Sequence, residues 1–355
     1  MIPEVFLNIF MVLLDDTLPG TSRLTMTGDL AEQMVDGIDK FLMRELENSV
    51  QMREKLWSRD YSSPEAYVRS ISENRKHFAK IIGAVDKREP VEALEYVSTT
   101  DTPALIAHGE GYSIYTVRWQ MFKNVYGEGL LLEPQNEPIA QIIAIPDADQ
   151  SPEMLTGLIE GIEPEAQFAR KLAENGCRVI VPTLIDRSDT WSGNPRIRMT
   201  NQPHREFIYR MAFELGRHII GYEVQKILSA VDWFIACYED PCERPPLGVV
   251  GYGEGGLLAL YSSALDTQID STLVSGYFQS RQGVWSEPIY RNVWGLLYEF
   301  GDAEIASLIT PRNLIIEASF GPEVDGPPLP RDGRSGAAPG KLTSPLLDSV
   351  ELCKP

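Results

Sequence analysis

The stretch Leu247-Gly248-Val249-Val250-Gly251-Tyr252-Gly253-Glu254-Gly255-Gly256-Leu257-Leu258-Ala259-Leu260-Tyr261-Ser262-Ser263 decides how this chain is read. An apolar run stops at a glycine-dense hexapeptide, Gly251 to Gly256, and helix-forming residues follow from Leu257 to Tyr261. Strand, very tight turn and helix is the layout of a G-x-S-x-G elbow, whose middle residue stands exposed above a sheet. Glycines flank such a bend because the backbones come too close there for side chains. Gly253 holds the central position, where the frame calls for a nucleophile. An oxygen nucleophile needs a side chain, and glycine has none.

Upstream, Ala140 to Ile145 reads as a buried strand that ends in Pro146-Asp147-Ala148-Asp149. Ser151 and Pro152 then open a helix in the preferred order of cap and first residue. That helix is expected to close near Gly176, before the strand Arg178 to Pro182. A polar loop from Asp186 to Pro203 leads into a long helical zone, Arg205 to Tyr238, with a break expected near Gly221. Downstream come a strand at Ser271 to Ser275, helical turns from Glu287 to Ile309 and a strand at Asn313 to Glu317. Strands alternating with helices imply right-handed crossovers and a mostly parallel sheet.

Between Leu94 and Leu132 the period is that of short strands, with Leu94 to Ser98 and Tyr112 to Phe122 as the clearest. Gly127-Glu128-Gly129 reads as a turn, His108 as a turn residue, and the whole as an antiparallel portion. Further back, Asp29 and Glu32 form a capping-box pair ahead of apolar residues at helical spacing. A second helical stretch runs from Pro64 to about Ile82. The expected division is a helical region over 1–92, a sheet domain over 93–320 and a Pro/Gly-rich, flexible tail over 321–355.

At 355 residues the chain can bury a large core. A net charge of −19 argues against a nucleic-acid partner, since no cationic face could release counterions from phosphates. Residues Val5 to Leu14 are too short for a membrane span, have no Lys or Arg before them, and are followed by Asp15-Asp16. The compartment stays open, with an exported location placed ahead of a cytoplasmic one. Cys237 and Cys242 flank a short loop that a disulfide could close in an exported protein; two unpaired thiols is the plainer expectation. No cysteine, histidine or carboxylate spacing points to a metal or cofactor.

The segment from Gly248 to Phe278, GVVGYGEGGLLALYSSALDTQIDSTLVSGYF, resembles the elbow and following strand of bacterial α/β-hydrolases of the acetyl xylan esterase and dienelactone-hydrolase-like kind. Three stretches support the resemblance: Ile143 to Pro152, Gly216 to Trp233, and Ala306 to Glu317 with Thr310-Pro311-Arg312. It implies an α/β-hydrolase sheet with helices on both faces, and hydrolysis of acetylated carbohydrate or other small esters. It puts Gly253 at the nucleophile, between Tyr252 and Glu254. The backbone N–H of Glu254 would be one oxyanion donor, and the loop around Asp147 and Ala148 would supply a second. The triad acid would lie just past Asn313 to Glu317, with Glu323 or Asp325 fitting by spacing and Glu317 also available. The triad histidine would come later still, whereas His77, His108, His204 and His218 all precede the elbow.

Two accounts follow. In one, the protein is a catalytically degenerate esterase-type fold, or an incomplete chain. In the other, it is an active carboxylic-ester hydrolase with a non-standard nucleophile. Glu254 is a candidate substitute, since carboxylates form covalent intermediates, but a carboxylate at a helix N-terminus is also favoured by the helix dipole alone. His204-Arg205-Glu206 could line a cleft or simply begin a surface helix, and Asp147 and Asp149 could orient the facing loop or bind a cation, with turn and cap residues as the plainer reading. The partner implied is a small-molecule or carbohydrate ester; the oligomeric state is left undetermined.

Overall fold

The computed structural model describes residues 19–22, 25–192, 202–326 and 340–345. Its contacts divide the chain into two units, 1–48 and 49–355. Helix α1 (Leu30–Arg53) supplies the described secondary structure of the first unit and runs on into the second. It begins where the sequence predicts: Asp29 Oδ1 accepts the N–H groups of Ala31 (2.8 Å) and Glu32 (3.3 Å). The apolar run Val5 to Leu14 lies outside the described residues.

In the second unit a nine-stranded sheet comprises β1 (Glu95–Tyr96), β2 (Leu105–Gly109), β3 (Tyr112–Phe122), β4 (Val125–Pro134), β5 (Gln141–Ile145), β6 (Arg178–Pro182), β7 (Leu247–Tyr252), β8 (Ser271–Ser275) and β9 (Asn313–Glu317). Its order is β1-β3-β4-β6-β5-β7-β8-β9, with β2 on β3. The strands β6, β5, β7, β8 and β9 are parallel; β1 to β4 are joined to them and to each other antiparallel. Chain order reverses at β5, which has β6 on one side and β7 on the other. The crevice outside the carboxyl ends of β5 and β7 is therefore the topological switch point, where open α/β sheets bind ligands.

The helices are α2 (Pro64–Ser70), α3 (Ser72–Ile81), α4 (Pro152–Leu155), α5 (Phe168–Glu174), α6 (His204–Phe213), α7 (Ile219–Ala236), α8 (Glu254–Leu265), α9 (Leu296–Glu299) and α10 (Asp302–Ser307). They cover both faces, and the pleat of β5 sorts its side chains between them. Ile143 and Ile145 pack with α7 and α8 in one apolar cluster, while Ala144 packs with Leu155, Ala169 and Ala173 of α4 and α5 in another. Each fully buried Ile contributes about 1.5–3 kcal/mol by leaving water. The cap read from the sequence forms, Ser151 accepting from Met154 N–H, and Ser63 caps α2 in the same way by accepting from Ala66 N–H.

Several local expectations are corrected. The hairpin between β3 and β4 turns at Lys123-Asn124, with Asn124 at φ 62°, and not at Gly127-Glu128-Gly129. Gly127 and Gly129 lie inside β4 because the Trp119 ring and the Val181 carbonyl occupy the space their side chains would need. His108 is in β2, where its Nδ1 pairs with Ser113 Oγ (3.0 Å). The helical zone breaks at 214–218, with Gly216 at φ 64°; Gly221 sits inside α7, against the backbone of Ile82 and Gly83. The helix opened by Ser151 stops at Leu155, and a separate α5 carries the chain to Gly176. Cys237 and Cys242, in line with the plainer expectation, are free, exposed thiols. Of the Pro/Gly-rich stretch, 327–339 and 346–355 lie outside the described residues. The described part is held to the body: Leu342 is buried and bridges Val324, and Lys341 N–H donates to Ser286 O (3.0 Å).

Candidate functional site: the crevice at the elbow

At the switch point the elbow forms as a backbone object. Gly253 lies at φ 60° and ψ −117°, a conformation that residues with a Cβ rarely adopt. Its N–H donates to Ser275 O of β8 (3.0 Å), and its carbonyl accepts the Leu257 N–H (3.2 Å), the first i→i−4 bond of α8. Gly251 and Gly255 touch each other across the bend, and Gly255 also lies against the carbonyls of Ile145 and Pro146, so neither could carry a side chain. The strand–turn–helix reading of 247–263 holds, and the bend sits at the carboxyl edge of the parallel strands.

The space above Gly253 is full. A Cβ built there would lie 2.6 Å from Asp147 Oδ1 and 2.8 Å from Pro322. Asp147 follows β5 and is 2 % exposed. Its Oδ1 accepts the Glu254 N–H at 2.8 Å, the donor that an oxyanion would need. Arg187 grips the same carboxylate with both ends of its guanidinium, Nη1 to Oδ2 at 2.5 Å and Nη2 to Oδ1 at 3.1 Å. Such a fork is the strong form of a carboxylate ion pair. Burial alone would raise the Asp147 carboxyl, but the Arg187 bonds and charge outweigh it and hold the group below its ordinary value.

Glu254, the first residue of α8, is fully buried among guanidiniums. Arg205 Nη2 donates to its Oε1 at 2.9 Å; Arg187 Nη2 and Arg291 Nη1 reach its Oε2 at 3.4 and 3.5 Å. Burial pushes this carboxyl up, yet Arg205, Arg291 and Arg187 together bring it down to about 2. The network extends outward. Arg187 Nε donates to the Tyr290 hydroxyl (3.0 Å), and Arg205 lies over the Tyr290 ring (5.3 Å). Arg291 and Arg281 share Glu287, each at 2.9 Å, and Arg205 approaches Glu223 at 3.5 Å. Arginine suits these positions because its planar charge is weakly hydrated and makes several directed bonds.

The remaining sequence-derived candidates fall as follows. Ala148 is buried beside Asp147, and Tyr252 is half-buried at the end of β7, its phenol pushed up first by burial and then by the Asp147 charge. Glu323 and Asp325 are exposed, Asp325 pairing with Lys341 at 3.3 Å; it is Pro322 that lies against Gly253. Glu317 accepts from Ser275 Oγ at 2.5 Å. His204 pairs through Nδ1 with Asp186 (2.6 Å), while its Nε2 accepts the Trp191 N–H (2.8 Å), so both ring nitrogens are committed. Its neighbour Arg205 begins no surface helix: it is fully buried and anchors Glu254. Residues 193–201 of the polar loop lie outside the described residues. His218 caps α7, its Nδ1 accepting the Ile220 N–H (3.1 Å), and burial lowers it to about 4.

Of the arginines that organise this crevice, Arg205 was read in the sequence only as part of a triplet that could line a cleft, and Arg187 and Arg291 were not singled out. Arg187 lies in a polar loop between Asp186 and Ser188, where nothing local marks it as buried.

This architecture is matched among solved structures. A protein of Bacteroides fragilis provisionally classed as an acetyl xylan esterase superposes with a TM-score of 0.58 and 18% identity, over 83% of this chain and 77% of that one. A glucuronoyl esterase from Solibacter usitatus follows at TM-score 0.47 and 14% identity, over 70% and 74%. Acetyl xylan esterase 1 from Thermoanaerobacterium gives 0.41 and 14%, over 75% and 81%. No family model matches the sequence, and no curated protein matches it. The fold is that of the α/β-hydrolases.

Proposed function

We propose that this protein is a hydrolase-fold binding protein that does not hydrolyse esters at its elbow. One observation carries the reading: the position of the nucleophile is a glycine whose side-chain space is taken by Asp147 and Pro322. A serine mechanism needs an Oγ at the bend and a free oxyanion donor beside it. Here the bend offers a hydrogen, and the Glu254 N–H is already bonded to a carboxylate. Loss of a triad member leaves roughly 10^3–10^4-fold over water at best, through the oxyanion hole and binding. With the donor occupied, that residue of activity goes too.

Glu254 does not serve as a replacement nucleophile in this reading. Its carboxylate is turned into three guanidiniums, which lower its basicity and would have to be left uncompensated during attack. The ligand class we assign is a small carbohydrate or carbohydrate ester, bound without turnover. The test is release of nitrophenol from aryl acetates by the purified chain, alongside labelling by a fluorophosphonate. We expect no saturable turnover and no label, in the natural chain or in Gly253→Ser.

A further inference from the structure

A groove of about 740 Å³ opens on the same edge of the sheet, displaced from the elbow toward the antiparallel strands. Its position follows from register. Gly129 of β4 lies opposite Pro182, the last residue of β6, so 125–128 of the antiparallel β4 overhang the carboxyl end of β6. Thr183 N–H continues the pairing by donating to Glu128 O (2.8 Å). The β3–β4 hairpin tip therefore projects as one wall, and the first turns of α7 form the other.

Two properties define what this groove fits. Three aromatic residues line it, Phe122, Tyr126 and Tyr222; Phe122 and Tyr222 meet edge-on at 6.1 Å, and the Arg118 guanidinium covers one face of the Tyr126 ring at 4.8 Å. Charge in the lining is balanced, although the chain as a whole carries −19. Asp86 pairs with Arg217 (2.6 Å), and Glu223 with Lys226, whose Nζ also donates to Thr183 O (2.5 Å). Lys87, Lys123, Glu89 and Glu128 complete the charged lining, two of each sign. Glu223 and Lys226 are buried, and Glu223 is further fixed by the Ile185 N–H (2.8 Å), so the floor is built and not a chance clustering of surface chains.

We propose that this groove is a binding site for a neutral polyhydroxylated ring, a sugar unit, and that ligand recognition in this protein occurs here and not at the elbow. A hydroxyl both donates and accepts, so one kind of group can bond to carboxylates and to ammonium groups alike. The apolar face of such a ring rests on aromatic side chains, as in small-molecule sites generally, where apolar walls carry a few placed polar groups. A carboxylate ligand would meet the four acids of the lining and the negative field of the chain; a cation would meet the four bases.

The test is calorimetric titration of the full chain with cellobiose, xylobiose and lactose, and with glucuronate and glucosamine as charged counterparts. At least one neutral disaccharide binds with a Kd of about 1 mM or tighter. Tyr126→Ala and Lys123→Ala, both at exposed positions, weaken it at least about tenfold without moving the unfolding midpoint. The proposal is overturned if no neutral sugar binds at ten times that concentration, if the groove variants bind as the natural chain does, or if a charged sugar is preferred. The site is assigned without reference to turnover, so ester hydrolysis at the elbow would overturn the proposed function and leave this result to stand or fall by itself.

Discussion

Two crevices lie along the carboxyl edge of one sheet, and they have been treated in opposite ways. At the switch point between β5 and β7, the place the fold offers for chemistry, the protein's own charges fill the space: Asp147 on the Glu254 N–H, and Arg187, Arg205 and Arg291 around Glu254. At the end of β6 the space is open and walled by rings and balanced charge. The two are joined, since Arg205 bridges Glu254 to Glu223, and Glu223 pairs with Lys226 on the groove floor. On the reading proposed above, a buried ion network holds loops in register at the first, while at the second the paired charges of the floor and the rings beside them stay accessible from an open groove.

The comparison is broken most severely by removing charge from the filled crevice. Glu254→Gln leaves Arg205 and Arg291 facing an amide, and truncating one partner of a buried pair costs about 3–5 kcal/mol. Urea unfolding should show that loss as a lower midpoint, and a midpoint within experimental scatter of the natural chain would contradict the structural role. A second effect is read by pH. His218 is ordinarily near 6.5 and lies at about 4 in the folded chain, so between those values the unfolded state binds the extra proton. Stability is then present above pH 6.5 and lost as pH falls toward 4, by about 3 kcal/mol at 1.36 kcal/mol per unit. His218→Asn keeps a capping side chain and should flatten that part of the profile. Glu254, held at about 2, adds a separate loss below pH 4.5 that Glu254→Gln removes.

Gly253→Ser comes next. A side chain at φ 60° costs about 1–3 kcal/mol, and Asp147 and Pro322 must move to admit it. The variant should unfold earlier and still give no fluorophosphonate adduct. The smallest effect on stability belongs to the groove: Lys123→Ala and Tyr126→Ala, at the exposed hairpin tip, should shift unfolding by less than about 0.5 kcal/mol while weakening sugar binding.

The bend, the strands flanking it and the Asp147 loop were legible because each is local: glycine spacing, apolar runs and a Ser-Pro helix start all act within a few residues. The ion network was not. Arg187 reaches Asp147 across 40 positions and Glu254 across 67, and Arg205 reaches Glu254 across 49. Nothing in the polar loop after Ile185 distinguishes a buried arginine from a solvated one. Glu254 was read as an oxyanion donor, a candidate nucleophile or a residue placed by the helix dipole; all three give the right end of the helix and omit the three cations that hold its carboxylate. The hairpin was misplaced for a related reason. Gly127 and Gly129 look like a turn in sequence, but they are small because Trp119 and the Val181 carbonyl press on them. The groove draws on the β3–β4 hairpin, the loop after β6 and α7, and no one of these carries a motif.

The central claim is that the elbow is closed to chemistry. Initial rates of aryl-acetate hydrolysis by the purified chain, with and without Glu254→Gln, test it directly. The account predicts that both follow the uncatalysed background with no saturation. Saturable turnover by the natural chain that disappears in Glu254→Gln would contradict it.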